Sequence, residues 1–210
     1  MEQYLLLAPV ASFIFVITII TTLITFSNEA LYSKMMLHPY SVSKGKYLYT
    51  LLTSGLIHKD WMHLLFNMLS FYFFAFQLEA TIGHWQFGLL YVLSLVLSDL
   101  PSVIKHKDDF WYHSLGASGA ISAVIFSFIL FSPMSMMMIM PIPIPIPAII
   151  FGILYLVYCT YASKYSQDAI NHDAHLFGAL SGIAITIILY PKVVPFFIHE
   201  VTAAIQSHLV

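Results

Sequence analysis

Residues 61–77 read Trp-Met-His-Leu-Leu-Phe-Asn-Met-Leu-Ser-Phe-Tyr-Phe-Phe-Ala-Phe-Gln, with no Asp, Glu, Lys or Arg among them. At ~1.5 Å per residue, a helix of this length approaches the ~30 Å of a bilayer's hydrocarbon layer. A water-soluble domain has little use for such a run, and His63 and Asn67 stand inside it. Polar groups at membrane depth are costly and by default mark function. The same stretch therefore sets the fold class and points to a site.

The rest of the chain repeats the pattern. Apolar residues make up 60% of the 210 residues and charged residues 9%, with mean hydropathy +0.85. Soluble domains carry ~25% charged residues to face water, so a soluble globular enzyme is excluded, and 16% aromatic content excludes disorder. Further spans are predicted over Leu5–Phe26, Trp85–Leu97, Gly116–Phe131, Ala148–Tyr161 and Ala174–Leu189, giving six crossings of an all-α polytopic membrane protein, read as a single domain over residues 1–210. Met1-Glu2-Gln3-Tyr4 lacks the positive n-region of a signal peptide, so the first span is expected to stay in the mature protein.

The connections differ in kind. Ser27 to Lys59 is long and mixes Lys34, Lys44 and Lys46 with apolar and aromatic residues, so it is expected to lie at the interface with structure of its own. Leu78 to Gly83 reads as a short turn and Ser98 to His113 as a polar loop. Pro141, Pro143, Pro145 and Pro147 alternate with Ile, which rules out helix and predicts an extended, polyproline-like surface linker. Residues 191–210 read as a tail, with an interfacial amphipathic helix from Val193. Net charge −2, eight lysines and no basic run argue against a nucleic-acid partner, and the single Cys159 reports nothing of redox compartment.

Parity locates a site. Spans two, four and six run in the same direction, and His63, Asn67, Ser118 and His175 all fall near their N-terminal ends, with Asn67 ~10 Å down its helix from Asp60. A nucleophile, a base and two hydrogen-bond donors thus share one shallow layer. Ser118 lies in Gly116-Ala117-Ser118-Gly119 at a helix start, where backbone N–H groups lack partners. Gly178 and Gly182 follow His175 at i+3 and i+7, a face smooth enough for spans four and six to meet within Ser–His bonding reach. His63 and Asn67, at i and i+4, share a face suited to holding an oxyanion, with the Ser118 amide as a third donor. Asp173, two residues before His175, points to the opposite side, so the expectation is a dyad and not a triad. Singly, each residue has a bland reading: a serine bonded to the preceding turn, an Asn that glues helices. Their joint placement favours catalysis.

The run Ile57-His58-Lys59-Asp60-Trp61-Met62-His63-Leu64-Leu65-Phe66-Asn67-Met68 resembles the signature of the rhomboid intramembrane serine proteases. Leu78-Glu79 with Gly83, Gly116-Ala117-Ser118-Gly119, and Ala174-His175 with Gly178 and Gly182 resemble that family's other motifs, in order, over about residues 48–190. The resemblance implies a six-helix rhomboid-like bundle with Ser118 as nucleophile and His175 as general base. His63, Asn67 and the Ser118 amide would hold the oxyanion. It further implies membrane-spanning protein substrates met in the lipid bilayer, no cofactor and no metal, and a bacterial inner membrane as location. His58 would be structural.

Two departures stand out. The first loop has no Trp-Arg, since the chain has no Arg. Four residues after the nucleophile, where an aromatic ring often stacks on the catalytic His, stands Ser122, so Tyr112, His172 or Phe177 is expected to hold His175 instead. Ser166–His172 is the expected lid and span five the expected gate. Seven lysines (34, 44, 46, 59, 105, 107 and 164) fall on the site's side against Lys192 opposite. The positive-inside rule would turn that side to the cytoplasm; the resemblance implies the reverse and is followed here.

Three other readings bear on function. A catalytically silent rhomboid-like escort would have lost Ser or His. A transporter would spread polar groups over several depths, ideally in two repeated halves. A metalloprotease would need a motif such as His-Glu-x-x-His, which the ten histidines do not form.

Overall fold

The computed structural model describes residues 7–139, 142–166, 168 and 170–207. It is a helical bundle. Helix α1 is Pro9–Phe26, α2 Glu29–Met35, α3 Pro39–Val42 and α4 Thr50–Thr53, followed by a 3-10 turn at Ser54–Leu56. Helix α5 is Trp61–Ile82, α6 His84–Lys105, α7 Ser118–Phe131, α8 Ala148–Tyr165, α9 His172–Leu189 and α10 Val193–Ser207. Five of these (α1, α5, α6, α8 and α9) are long and apolar enough to cross a membrane. Their outward faces carry apolar side chains such as Phe13, Phe73, Ile153 and Val157, which a lipid solvent accepts.

Helix α7, over the expected fourth crossing, is shorter than the five spanning helices. It is helical only from Ser118 and has 14 residues, about 21 Å. Its brevity goes with its place: every residue from Gly119 to Ile129 is buried, so α7 is the core around which the others stand. Ser98, Ser94 and Ser102 of α6 are buried too, as are Gly178, Ser181 and Gly182 of α9. The approach is close because the facing residues are small. A Cβ on Gly178 would overlap the carbonyl of Gly119, and one on Gly182 would come within 2.5 Å of the Ala123 Cα. The Thr186 and Ser127 hydroxyls meet at 2.7 Å across the same seam.

Several connections are tighter than their composition suggests. The expected turn at Leu78–Gly83 is almost wholly helix, since α5 continues to Ile82 and only Gly83, at φ +88°, breaks it from α6. Glu79 explains the persistence of α5. Fully buried, it accepts the Val10 and Ala11 amides at 3.0 and 2.6 Å, satisfying the open N-terminus of α1, and meets His84 Nδ1 at 2.7 Å. Helix α6 likewise runs on to Lys105 through Pro101, so half of the expected polar loop is helical. The long first loop carries short helices, as expected.

The proline stretch is extended but is no free linker. Met136–Ile139 (β1) and Ile142–Pro147 (β2) pair antiparallel, with Met137 opposite Ile146 and an irregularity between Met138 and Ile139. In an antiparallel pair only alternate residues turn their N–H to the partner. Prolines at every second position therefore remove no ladder bond, and an edge strand tolerates them. Residues 140 and 141, Leu5 and Leu6 of the first span, residues 167 and 169 of the expected lid, and 208–210 of the tail lie outside the described residues.

Candidate active site

Residues from the N-terminal ends of α5, α7 and α9 line one cavity. Ser118 opens α7, where no preceding turn exists to accept its amide. Gly116, at φ +116°, turns the chain into that start and is tied down by its own N–H to Ser54 O at 2.9 Å. His175 lies in the first turn of α9, whose N-cap Asn171 accepts the Ala174 amide at 3.0 Å. The Asn171 amide donates to Ser102 Oγ (2.8 Å) and Ser114 Oγ (3.1 Å), linking α9 to α6 and to the segment before α7. The outcome is one short contact: His175 Nε2 lies 2.8 Å from Ser118 Oγ.

His175 is held by an aromatic ring that the sequence reading missed. Tyr155 of α8 stacks on it at 6.4 Å with 22° between planes. Ser122 Oγ donates to the Ser118 carbonyl at 2.9 Å, so the Tyr155 hydroxyl, 2.7 Å away, donates to Ser122. The serine at position 122 thus anchors from below the ring that its own side chain does not supply. A signal existed. Ala148, Gly152, Cys159 and Ala162 form the buried face of α8 at helical spacing, and Tyr155 stands in the middle of that stripe. Of the three expected supports, His172 does meet His175 edge-on at 6.1 Å. Tyr112 instead stacks on His106 at 3.6 Å, and Phe177 is exposed.

On the other side, Asp60 caps α5 by accepting the His63 amide at 2.8 Å. The Lys59 amide donates to His63 Nδ1 at 3.4 Å, which leaves the ring proton on Nε2. That Nε2 lies over Gly116: a Cβ there would come within 2.8 Å of it, so only glycine fits between His63 and the start of α7. Asn67 is buried one turn further along, and its amide makes no hydrogen bond among the described residues. His63, Asn67, Ser118 and His175 all line one cavity of about 1020 Å³.

The remaining groups are structural. His58 is fully buried, with Nδ1 3.0 Å from Thr22 Oγ1. That hydroxyl donates to Leu56 O at 3.1 Å, so it accepts from His58 Nδ1. Burial pushes His58 down to about 3, with His63 adding to the effect, and it stays neutral. Asp173 points away from the dyad to Lys105, at 2.7 Å. Asp168 is held at about 2 by the Ser166 hydroxyl, the Ile170 amide and His172. Metal-type donors also gather here: Cys159, His172 and His175 bring one ligand atom each within 4.8 Å of one another.

Comparison with known proteins gives the family. Over 153 residues, 72% of this chain and 71% of the other, the sequence is 27% identical to the Bacillus subtilis (strain 168) protein named "Putative rhomboid protease YdcA". It is 32% identical to the Arabidopsis thaliana "RHOMBOID-like protein 4" over 84 residues, 40% of this chain and 21% of the plant protein. The Rhomboid domain model matches residues 45–192, from the 3-10 turn's approach to the end of α9. That match covers more than half of the 210 residues, and the chain belongs to the rhomboid family.

Proposed function

We propose that the protein is a multi-pass serine endopeptidase that cuts peptide bonds within or beside the membrane-spanning segments of other membrane proteins. Ser118 is the nucleophile and His175 the base. The observation that carries the reading is the 2.8 Å contact between Ser118 Oγ and His175 Nε2 inside a cavity that His63 and Asn67 also line. The Bacillus relative supports a bacterial cell membrane as the setting. In this reading α7 completes six crossings, its short length setting Ser118 below the surface.

The chemistry follows from the donors. A substrate segment unwinds in the cavity, because a peptide bond within a helix is shielded by its neighbours. His175 Nε2 takes the Ser118 proton as Oγ attacks the carbonyl carbon. The negative charge passes to the carbonyl oxygen, where His63 Nε2–H, the Asn67 amide and the Ser118 N–H meet it. The protonated His175 gives its proton to the leaving amine, and water repeats the sequence to release the acyl group. Tyr155 and Asn171 act through His175 as positioning residues.

Ser118→Ala abolishes cleavage of a model membrane substrate while the detergent-extracted protein keeps its helical content and melting temperature. A fluorophosphonate labels the native chain and not the variant. Cleavage retained by Ser118→Ala overturns the assignment of the nucleophile, whereas a native chain that neither cleaves nor takes the label leaves a rhomboid-like escort as the better reading.

A further inference from the structure

Beside the dyad, two helices bring together three side chains whose shared chemistry the reaction does not require. Cys159 of α8 and His172 of α9 are buried, His175 is half-buried, and one donor atom from each lies within 4.8 Å of the others. Both Nε2 atoms are engaged, that of His175 with Ser118 and that of His172 with the Asp168 carboxylate at 3.1 and 3.2 Å. A carboxylate only accepts, so His172 carries its proton on Nε2 and bares the lone pair of Nδ1. Among the described residues that Nδ1 is buried without a hydrogen-bond partner, in a residue 4% exposed. Buried polar atoms in this condition call for an explanation. A carboxylate on the far nitrogen is how proteins orient a metal-ligating histidine and raise its basicity.

We propose that Cys159, His172 and His175 form a binding site for a soft divalent cation of the zinc class, which switches the dyad off. The inhibition rests on the proteolytic reading above; the binding does not. One thiolate and two imidazoles are ligands that zinc takes and that magnesium and calcium do not. Donors 4.8 Å apart leave a centre about 2.8 Å from each, so bonds of about 2.0–2.3 Å ask each atom to move inward by roughly half an ångström. The cavity reaches both histidines, which gives a cation access and leaves a fourth position for water. On binding, the Cys159 thiol releases its proton to solvent, and the single proton of neutral His175 moves from Nδ1 to Nε2 as the metal takes Nδ1. Nε2–H then donates to Ser118 Oγ where it had accepted, and the hydroxyl proton has no acceptor.

Cobalt(II) is the probe, added to the purified full chain in detergent. The native chain and Ser118→Ala both show a thiolate-to-cobalt charge-transfer band at one cobalt per chain, displaced by zinc. Cys159→Ala loses the band. Zinc's inhibition, taken as a ratio to each protein's own rate in chelator, disappears in that variant. Asp168→Asn, on an exposed residue, keeps the band but weakens cobalt binding by roughly 10–100-fold. Absence of the thiolate band from the native chain, or zinc inhibition unchanged by Cys159→Ala, overturns the proposal. A cobalt band from a chain that cleaves nothing in chelator upholds the site and sinks the proteolytic reading alone.

Discussion

Helices α7 and α8 both border the dyad, and they are built to opposite rules. Helix α7 is buried on every side and packed against α9 through Gly178 and Gly182 with no room for a methyl group. Helix α8 buries only Ala148, Gly152, Cys159 and Ala162, turning Ile153, Leu154 and Val157 outward. Ser118 is on the tightly packed helix. The ring stacked on His175 comes from the more loosely seated one. In lipid no hydrophobic force drives helices together, and close packing of small residues does that work. The seam between α7 and α9 therefore sets the Ser118–His175 distance, while α8 is the element with least to lose by moving. This contrast supports α8 as the side from which a substrate segment enters.

The contrast can be broken at its strong end first. Gly182→Leu forces a side chain into the Ala123 backbone and is expected to cost about 3 kcal/mol or more. Thermal unfolding in detergent measures it, and a melting temperature equal to the parent's would mean that the seam is not the core of the bundle. Next comes the oxyanion side. Asn67→Ala lowers kcat by roughly 10²–10³-fold with unchanged melting, as loss of one preorganised donor does.

A third test uses pH away from the dyad. His58 is held at about 3 when folded against 6.5 when free. Between those values the unfolded chain binds the extra proton, so the contribution is fully present above pH 6.5 and is lost as pH falls towards 3. Going from pH 7 to pH 5 removes about 2 kcal/mol of stability through this residue. His58→Gln flattens that part of the profile, and a slope unchanged by the substitution would assign the acid sensitivity elsewhere. At the weak end, Tyr155→Phe keeps the ring on His175 and removes the bond to Ser122, which raises the activation barrier by about 1 kcal/mol and is read as a roughly five-fold drop in kcat. Val157→Ala, on the lipid face of the same helix, changes stability by less than about 0.5 kcal/mol.

What could be read in advance followed the physics of each signal. Membrane helices declare themselves through hydropathy alone, and a polar residue inside one is conspicuous, so His63, Asn67, Ser118 and His175 stood out singly. Alternation of direction then placed them at one end. Glycines at i+3 and i+7 from His175 announced the close seam before any coordinate did. Errors fell where a local rule met a distant partner. Leu78–Gly83 read as a short turn joining two spans, and no local rule tells that the Glu79 carboxylate caps α1. Alternating prolines read as a linker because the pairing strand, Met136–Ile139, carries no signal of its own beyond greasiness. Tyr155 was one tyrosine among 13, and its value comes from Ser122 on another helix.

The amino-acid order by itself determined that the chain is a polytopic helical membrane protein, which residues are costly to bury, and which end of the bundle they share. Those are properties of single segments and of counting. Only the tertiary structure decided that α7 is short and central, that Ser118 and His175 touch, and what orients the imidazole. These depend on side chains from three helices arriving at one point to within a fraction of an ångström. Such a coincidence is set by the packing of the whole bundle and is written in no stretch of it alone.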